Sequence, residues 1–199
     1  LQLEPNIPVK TNCGECTLCI EMCPTGAIVE PYTIDNSLCI SYHTIENRGS
    51  IPINLRSSFG NWVFGCDICQ EVCPVNKFAT HTSTKDFDQS KTTSSIENLL
   101  EMSEEEFKTH FAGTPVMRAK YAGMQRNACI AAGNNINSIQ IRGLTNCLNS
   151  PDSMIRGHAA WALGQFETTE SINILKSALS IESNDAVIEE IERALLNNC

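Results

Sequence analysis

The chain has 199 residues, eleven cysteines and a formal net charge of −9. Its length suits one large or two small domains. No apolar stretch approaches the ~18 residues that a membrane span needs, which excludes an integral helical membrane protein. Leu1 opens a polar, Pro-containing lead-in with no apolar run behind a basic start. That start reads as a cut through a longer protein or a processed end, and not as a signal peptide.

Cys13, Cys16, Cys19 and Cys23 form a C-x2-C-x2-C-x3-C run closed by Pro24, and Cys66, Cys69 and Cys73 form a second run closed by Pro74. The first run has the spacing of bacterial two-cluster ferredoxins, where three cysteines hold one cluster and the fourth crosses to the other. Cys39 is the one further cysteine before the polar stretch that follows, so it is the expected eighth ligand. A crossed arrangement assigns Cys13, Cys16, Cys19 and Cys73 to the first cluster, and Cys23, Cys39, Cys66 and Cys69 to the second. Four thiolates each suit a [4Fe–4S] cube. Two zinc sites would use the same donors, but the repeated run ending in Cys-Pro favours iron and sulfide. Close C-x2-C pairs argue against disulfides, and iron-bound thiolates imply a reducing, cytoplasmic setting. Ala27–Val29 and Ile51–Ile53 read as short strands or loops around these sites.

Residues 80–95 are Thr- and Ser-rich and read as a linker or surface excursion. Ser95 is placed to cap a short helix over Ile96–Met102, and Ser103 to cap another with Glu104, Glu105 and Glu106 in its first turn. From Pro115 the apolar spacing is helical. Arg126–Gly133 aligns with Gly157–Gly164 at a shift of 31, and Ala194-Leu195 falls under Ala162-Leu163 at a shift of 32. Helical segments at Ile136–Leu148 and Ser171–Leu179 lie between these copies. One helix pair per repeat predicts a small HEAT-like solenoid. The expected class is α+β: a two-cluster ferredoxin-like domain over 1–79, a linker with short helices over 80–114, and all-α repeats over 115–199.

Residues 107–166 hold six basic residues and one acid, a local charge of +5 in an acidic protein. Arg118, Lys120 and Arg126 lie close together, and Arg156 falls near Arg126 one repeat later, so stacking predicts a phosphate-binding ridge. The plainer alternative is a solvated face. Cys129, Cys147 and Trp161 read as core, and His43, His81, His110 and His158 are too scattered for metal-ligand spacing. No phosphate loop, catalytic triad or paired acid and base stands out, so no catalytic residue is assigned within this chain.

The segments Cys39-Ile-Ser-Tyr-His-Thr-Ile-Glu46 and Gly65-Cys-Asp-Ile-Cys-Gln-Glu-Val-Cys-Pro74, joined to His158-Ala-Ala-Trp-Ala-Leu-Gly164, closely resemble the epoxyqueuosine reductase family. The resemblance spans essentially the whole chain. It implies electron transfer from the two clusters to cobalamin, which removes the epoxide oxygen of epoxyqueuosine in the tRNA anticodon loop. It also implies Ser41, Cys66 and Asp67 beside the corrinoid, and a flavodoxin- or ferredoxin-type donor to a monomeric protein. The family's cobalamin domain, which includes its catalytic acid, has no counterpart after Leu1. The family often carries Leu where His43 stands and Trp where Val75 stands. A stand-alone two-cluster carrier with a protein-binding repeat is the alternative expectation.

Overall fold

The computed structural model describes residues 3–7, 13–80, 82–84 and 94–196. Each cysteine triplet folds as a turn running into one turn of helix, α1 (Leu18–Glu21) and α4 (Ile68–Glu71), and these two helices pack together. Between them, β1 (Ile28–Glu30) and β2 (Thr33–Ile34) form an antiparallel ribbon that pairs Ile28 with Ile34 and Glu30 with Thr33. Helix α2 (Ile40–Ile45) starts directly after Cys39. The expected strand or loop at Ile51–Ile53 is loop at Ile51 and Pro52, and Ile53 opens α3 (Ile53–Arg56). Pro52 there has φ −53°, close to the helical value, which suits it to the start of a helix.

The predicted caps form where serine precedes the apolar run. Ser95 Oγ accepts from the Asn98 N–H at the start of α5 (Ile96–Glu101), and Ser103 with Glu106 completes a capping box on α6 (Glu104–His110). Five longer helices follow: α7 (Lys120–Asn134), α8 (Ile141–Leu148), α9 (Ser153–Gly164), α10 (Thr169–Leu179) and α11 (Asp185–Leu196). Helix α8 begins later than the apolar pattern implied. The Asn137 side chain accepts from the Ile139 N–H, and residues 138–140 form a 3-10 turn first. The expected linker at 80–95 falls partly, and His81 and Cys199 wholly, outside the described residues.

Helices α7, α9 and α11 stack in sequence as an inner row, and α8 and α10 pack on α9. Two glycines set the spacing of the row. A Cβ on Gly133 would lie 2.6 Å from the Trp161 ring and 3.0 Å from Ala162 Cα, and a Cβ on Gly164 would lie 2.7 Å from Ala194 Cβ. These are equivalent crossings one repeat apart, so the 31- and 32-residue shifts mark where neighbouring helices touch. Helix α7 is buried on all sides from Gly123 to Gly133. The apolar core continues from it to Ile40, Ile51, Leu55 and Phe59. The compositional boundary at residue 79 is therefore not a boundary in packing.

Gly133→Ala should destabilise the protein by about 1–3 kcal/mol through overpacking at the α7–α9 crossing. Gly157→Ala, whose Cβ would meet Glu190 Cγ at an ordinary 3.6 Å, should be neutral or mildly stabilising. Urea unfolding of the two variants checks this; equal stabilities would refute the close-approach argument.

Candidate metal centre

Cys23, Cys39, Cys66 and Cys69 line one small cavity. The remaining wall is mainly apolar, formed by Pro24, Ala27, Ile28, Ile34, Ile40 and Ile68 with Thr25. Four local devices bring the thiols there. After Cys23-Pro24, Gly26 turns with φ +65°, and the Ala27 N–H then points at Cys23 Sγ at 3.3 Å. Cys39 sits at the N-cap of α2. Gly65, with φ +76°, turns the chain into Cys66. Cys69 lies one helical turn on, in α4. Among the described residues, no three His, Cys, Asp or Glu close on a single ion.

Charge coupling follows this placement. Burial pushes the Cys66 thiol up, and Cys69, Cys39 and Cys23 push it further. Burial likewise raises Cys69, with Cys19, Cys39 and Cys23 adding to it. At Cys23 burial also acts upward, but hydrogen bonds from Thr25, Ala27 and Ile28 outweigh it and leave the thiol below its ordinary range. A bound cationic centre reverses the cost of gathering thiolates, because coordination deprotonates them. Four sulfur donors in an apolar wall fit a [4Fe–4S] cube.

The other four cysteines of the two runs differ in exposure. Cys13 and Cys16 are exposed, whereas Cys19 and Cys73 are half-buried. The Cys16 N–H donates to Cys13 O at 3.1 Å across a turn with Gly14 at φ +56°, and the Cys13 N–H donates to Tyr32 Oη at 3.1 Å. The packing of α1 on α4 brings the two triplets side by side. Of the corrinoid candidates, Ser41 is half-buried in the first turn of α2. Asp67 is exposed at the N-cap of α4, where Oδ1 accepts from Gln70 Nε2 at 2.6 Å. His43 does not face solvent. It is 5% exposed, with Nε2 at 2.7 Å from Ser37 O and Nδ1 at 3.0 Å from Asn47 Nδ2.

The expected phosphate ridge is corrected at two of its four residues. Arg126 is fully buried. It donates to Asn47 O (2.9 Å), Gly49 O (2.6 Å), His43 O (2.5 Å) and, twice, to Asn127 Oδ1 (3.1 and 2.9 Å). All five of its N–H donors are used within the protein. Burial, with Arg48 nearby, lowers its pKa to about 10, so it remains cationic at neutral pH. Arg156 is mostly buried, forked onto Glu182 at 2.7 and 2.9 Å and bonded to Ser150 O. Arg126 has no donor to offer a phosphate, and four of the five on Arg156 are engaged within the protein. Arg118 is exposed and pairs with Glu46, and Lys120 is exposed.

The residues missed from sequence are the polar groups that bind the 43–65 segment to the inner helices. Asn127 Nδ2 donates to Thr44 O and Val63 O, each at 2.8 Å. Asn134 Nδ2 donates to Arg56 O at 2.7 Å. His158 Nε2 accepts from the Ile51 N–H at 3.1 Å, while Nδ1 lies 2.7 Å from Met154 O. Arg56 pairs with Glu190 of α11 at 2.7 Å and lies 5.6 Å from the centre of the Trp161 ring. The available signal was polar residues inside an Ala- and Gly-rich helix that buries every side.

Burial, together with the Arg56 charge, lowers the His158 pKa to about 3, and the Met154 and Ile51 bonds oppose this only in part. Between that value and the unfolded value of about 6.5, the unfolded chain binds a proton that the folded chain refuses. Stability should therefore be full above pH 6.5 and fall as the pH drops, by ~1–2 kcal/mol between pH 7 and pH 5. Anaerobic urea unfolding at the two values checks this. A wild-type protein equally stable at both would rule it out, and His158→Gln should flatten the dependence.

Family models match at both ends of the described structure. A 4Fe-4S double cluster binding domain covers residues 12–76 and HEAT repeats cover residues 116–196. The epoxyqueuosine reductase of Pseudomonas aeruginosa is 43% identical over 155 residues, covering 76% of this chain and 43% of that protein. The one from Escherichia coli K12 is 36% identical over 190 residues, covering 94% and 50%. A crystal structure of epoxyqueuosine reductase with an epoxyqueuosine-modified tRNA-Tyr stem loop superposes with a TM-score of 0.91 at 33% identity, covering 98% of this chain and 52% of that one. The Bacillus subtilis enzyme superposes with a TM-score of 0.90, also at 33% identity, covering 98% and 53%. The chain spans about half the length of the relatives it matches.

Proposed function

The chain belongs with the epoxyqueuosine reductases, matched over about half their length, and on that premise we propose that it is the electron-delivery and tRNA-docking portion of such an enzyme. The observation that carries the proposal is the four-cysteine cavity in a 4Fe-4S double cluster binding domain that is packed on HEAT repeats. When bound, the two clusters supply one-electron carriers, and cobalamin, held mainly outside this chain, supplies the reductive chemistry on epoxyqueuosine in tRNA. Cys13, Cys16, Cys19 and Cys73 hold the first cluster, and Cys23, Cys39, Cys66 and Cys69 hold the second. The exposure of Cys13 and Cys16 suits the first to receive electrons from a flavodoxin- or ferredoxin-type protein. Ser41, two residues after Cys39, and Cys66 with the adjacent Asp67 are the residues read as facing the corrinoid.

The tRNA face is drawn from the basic residues that remain accessible. Arg118 and Arg142 are 66% and 81% exposed, and their partners Glu46 and Glu101 are also solvent-accessible. Such pairs are worth little in water and can open to a phosphate. Lys120 forms no ion pair among the described residues. These three replace the larger ridge read from sequence, and among the described residues no helix is long and apolar enough to cross a membrane.

Anaerobically prepared protein should hold about eight iron and about eight labile sulfide per chain, given two [4Fe–4S] cubes. Cys39→Ala should lose one cluster and keep the other; two zinc ions without sulfide would overturn the proposal.

Charge reversal of Arg118 and Lys120 together should weaken binding of an epoxyqueuosine-containing tRNA stem loop several-fold. It should also reduce the magnitude of the salt slope by about 1 for each phosphate that the variant no longer neutralises. Unchanged affinity across the salt series would remove the docking face from the proposal.

A further inference from the structure

Thr44 stands where the two loops of the four-cysteine cavity meet. It is fully buried in α2, and its Oγ1 donates to Ile40 O at 2.8 Å while accepting from the Gly65 N–H at 3.0 Å. Ile40 directly follows Cys39, and Gly65 directly precedes Cys66. One hydroxyl thus ties the two loops one residue away from a cysteine on each side. The same residue's carbonyl accepts from Asn127 Nδ2 at 2.8 Å, and that amide also holds Val63 O at 2.8 Å. Asn127 cannot swing freely, because its Oδ1 is occupied by two bonds from Arg126. The chain of contacts runs from the centre of the helical array, through Asn127 and Thr44, to the backbone on either side of Cys39 and Cys66.

We infer that Thr44 and Asn127 are positioning residues that let the helical repeats set the Cys39–Cys66 geometry, and with it the electronic state of the cluster these cysteines hold. Two physical effects act together. The bridge fixes the separation of two ligand-bearing loops. It also engages the Gly65 N–H, keeping that donor away from sulfur, and hydrogen bonds to cluster sulfurs are among the determinants of reduction potential. Its sequence signature is a polar pair, Thr44 and Asn127, 83 residues apart. The inference rests on the assignment of Cys39 and Cys66 to one cluster.

The test uses the intact protein with both clusters loaded, read by redox titration with electron paramagnetic resonance. Cys39→Ala first identifies the signal of its cluster; loss of neither signal would overturn the ligand assignment itself. Thr44→Val keeps the side-chain shape and removes the hydroxyl. It should shift the midpoint of that signal alone, in either direction. The expected size is about a tenfold change in the oxidised-to-reduced ratio at fixed potential, ~59 mV for a one-electron couple. Thr44→Ser should restore the wild-type midpoint. Should the valine variant not fold, Thr44→Ala, which leaves room for water at Gly65, gives the same comparison. Unchanged midpoints in the variant, or equal shifts of both signals, would overturn the inference while leaving the ligand assignment in place.

Discussion

The structure depends on a guanidinium that has no carboxylate partner among the described residues. Arg126 is completely buried, and its charge is solvated by carbonyl and amide oxygens: His43, Asn47, Gly49 and the side chain of its neighbour Asn127. The segment from His43 to Gly65 is mostly short turns of helix and loop, so many of its backbone groups lack local partners. Buried backbone groups must be paired somewhere. The inner helices supply the partners, α7 through Arg126, Asn127 and Asn134 and α9 through His158, while Glu190 of α11 holds the Arg56 side chain. Truncating Arg126 would strand several acceptors at once, whereas a surface pair of the same formal charge would cost little.

This explains why the cysteine lobe and the repeats share a core. A lobe with a five-residue ribbon and several one-turn helices buries too little apolar surface to fix its own loops. Ile40, Ile51, Leu55 and Phe59 contribute to the core of the helical array, and the polar contacts fix the register of that packing. Hydrophobic burial is non-directional; the forked guanidinium and the Asn127 amide give direction, because each accepts only one arrangement of the opposing carbonyls.

What was legible in the sequence was local. The C-x2-C spacing, which the double-cluster family model matches, and the Ser95 and Ser103 caps depend on residues within a few positions, and both caps take their expected form. The repeat shift was legible because stacking requires the same small residues at each crossing. Arg126 and Arg156 were misplaced because a charge in a helical pattern carries no sign of which side it faces. Their partners lie up to 83 residues away for Arg126 and 26 for Arg156. The burial of His43 was not legible for a related reason: its fit against Ser37, Asn47 and Phe59 exists only once α2 and the following turn are folded.

Moving those two arginines inward changes what the local charge of +5 means. Long-range attraction of a polyanion still responds to the summed charge of the region, but contact requires donors free to meet phosphate. Arg126 has none, and Arg156 is held by the Glu182 fork, whose carboxyl it keeps near a pKa of about 2. Opening that fork would expose a mostly buried carboxylate as well as free the arginine, whereas opening Arg118 from Glu46 exposes nothing that water does not already reach. The energetic ordering therefore favours contact at Arg118, Lys120 and Arg142 over contact at Arg126 and Arg156. Arg118 O and Ala119 O accept from Arg48 of the cysteine lobe. A nucleic acid engaging Arg118 would meet the junction of the two lobes, close to the helix that begins at Lys120 and carries Arg126 and Asn127 to the metal-binding loops.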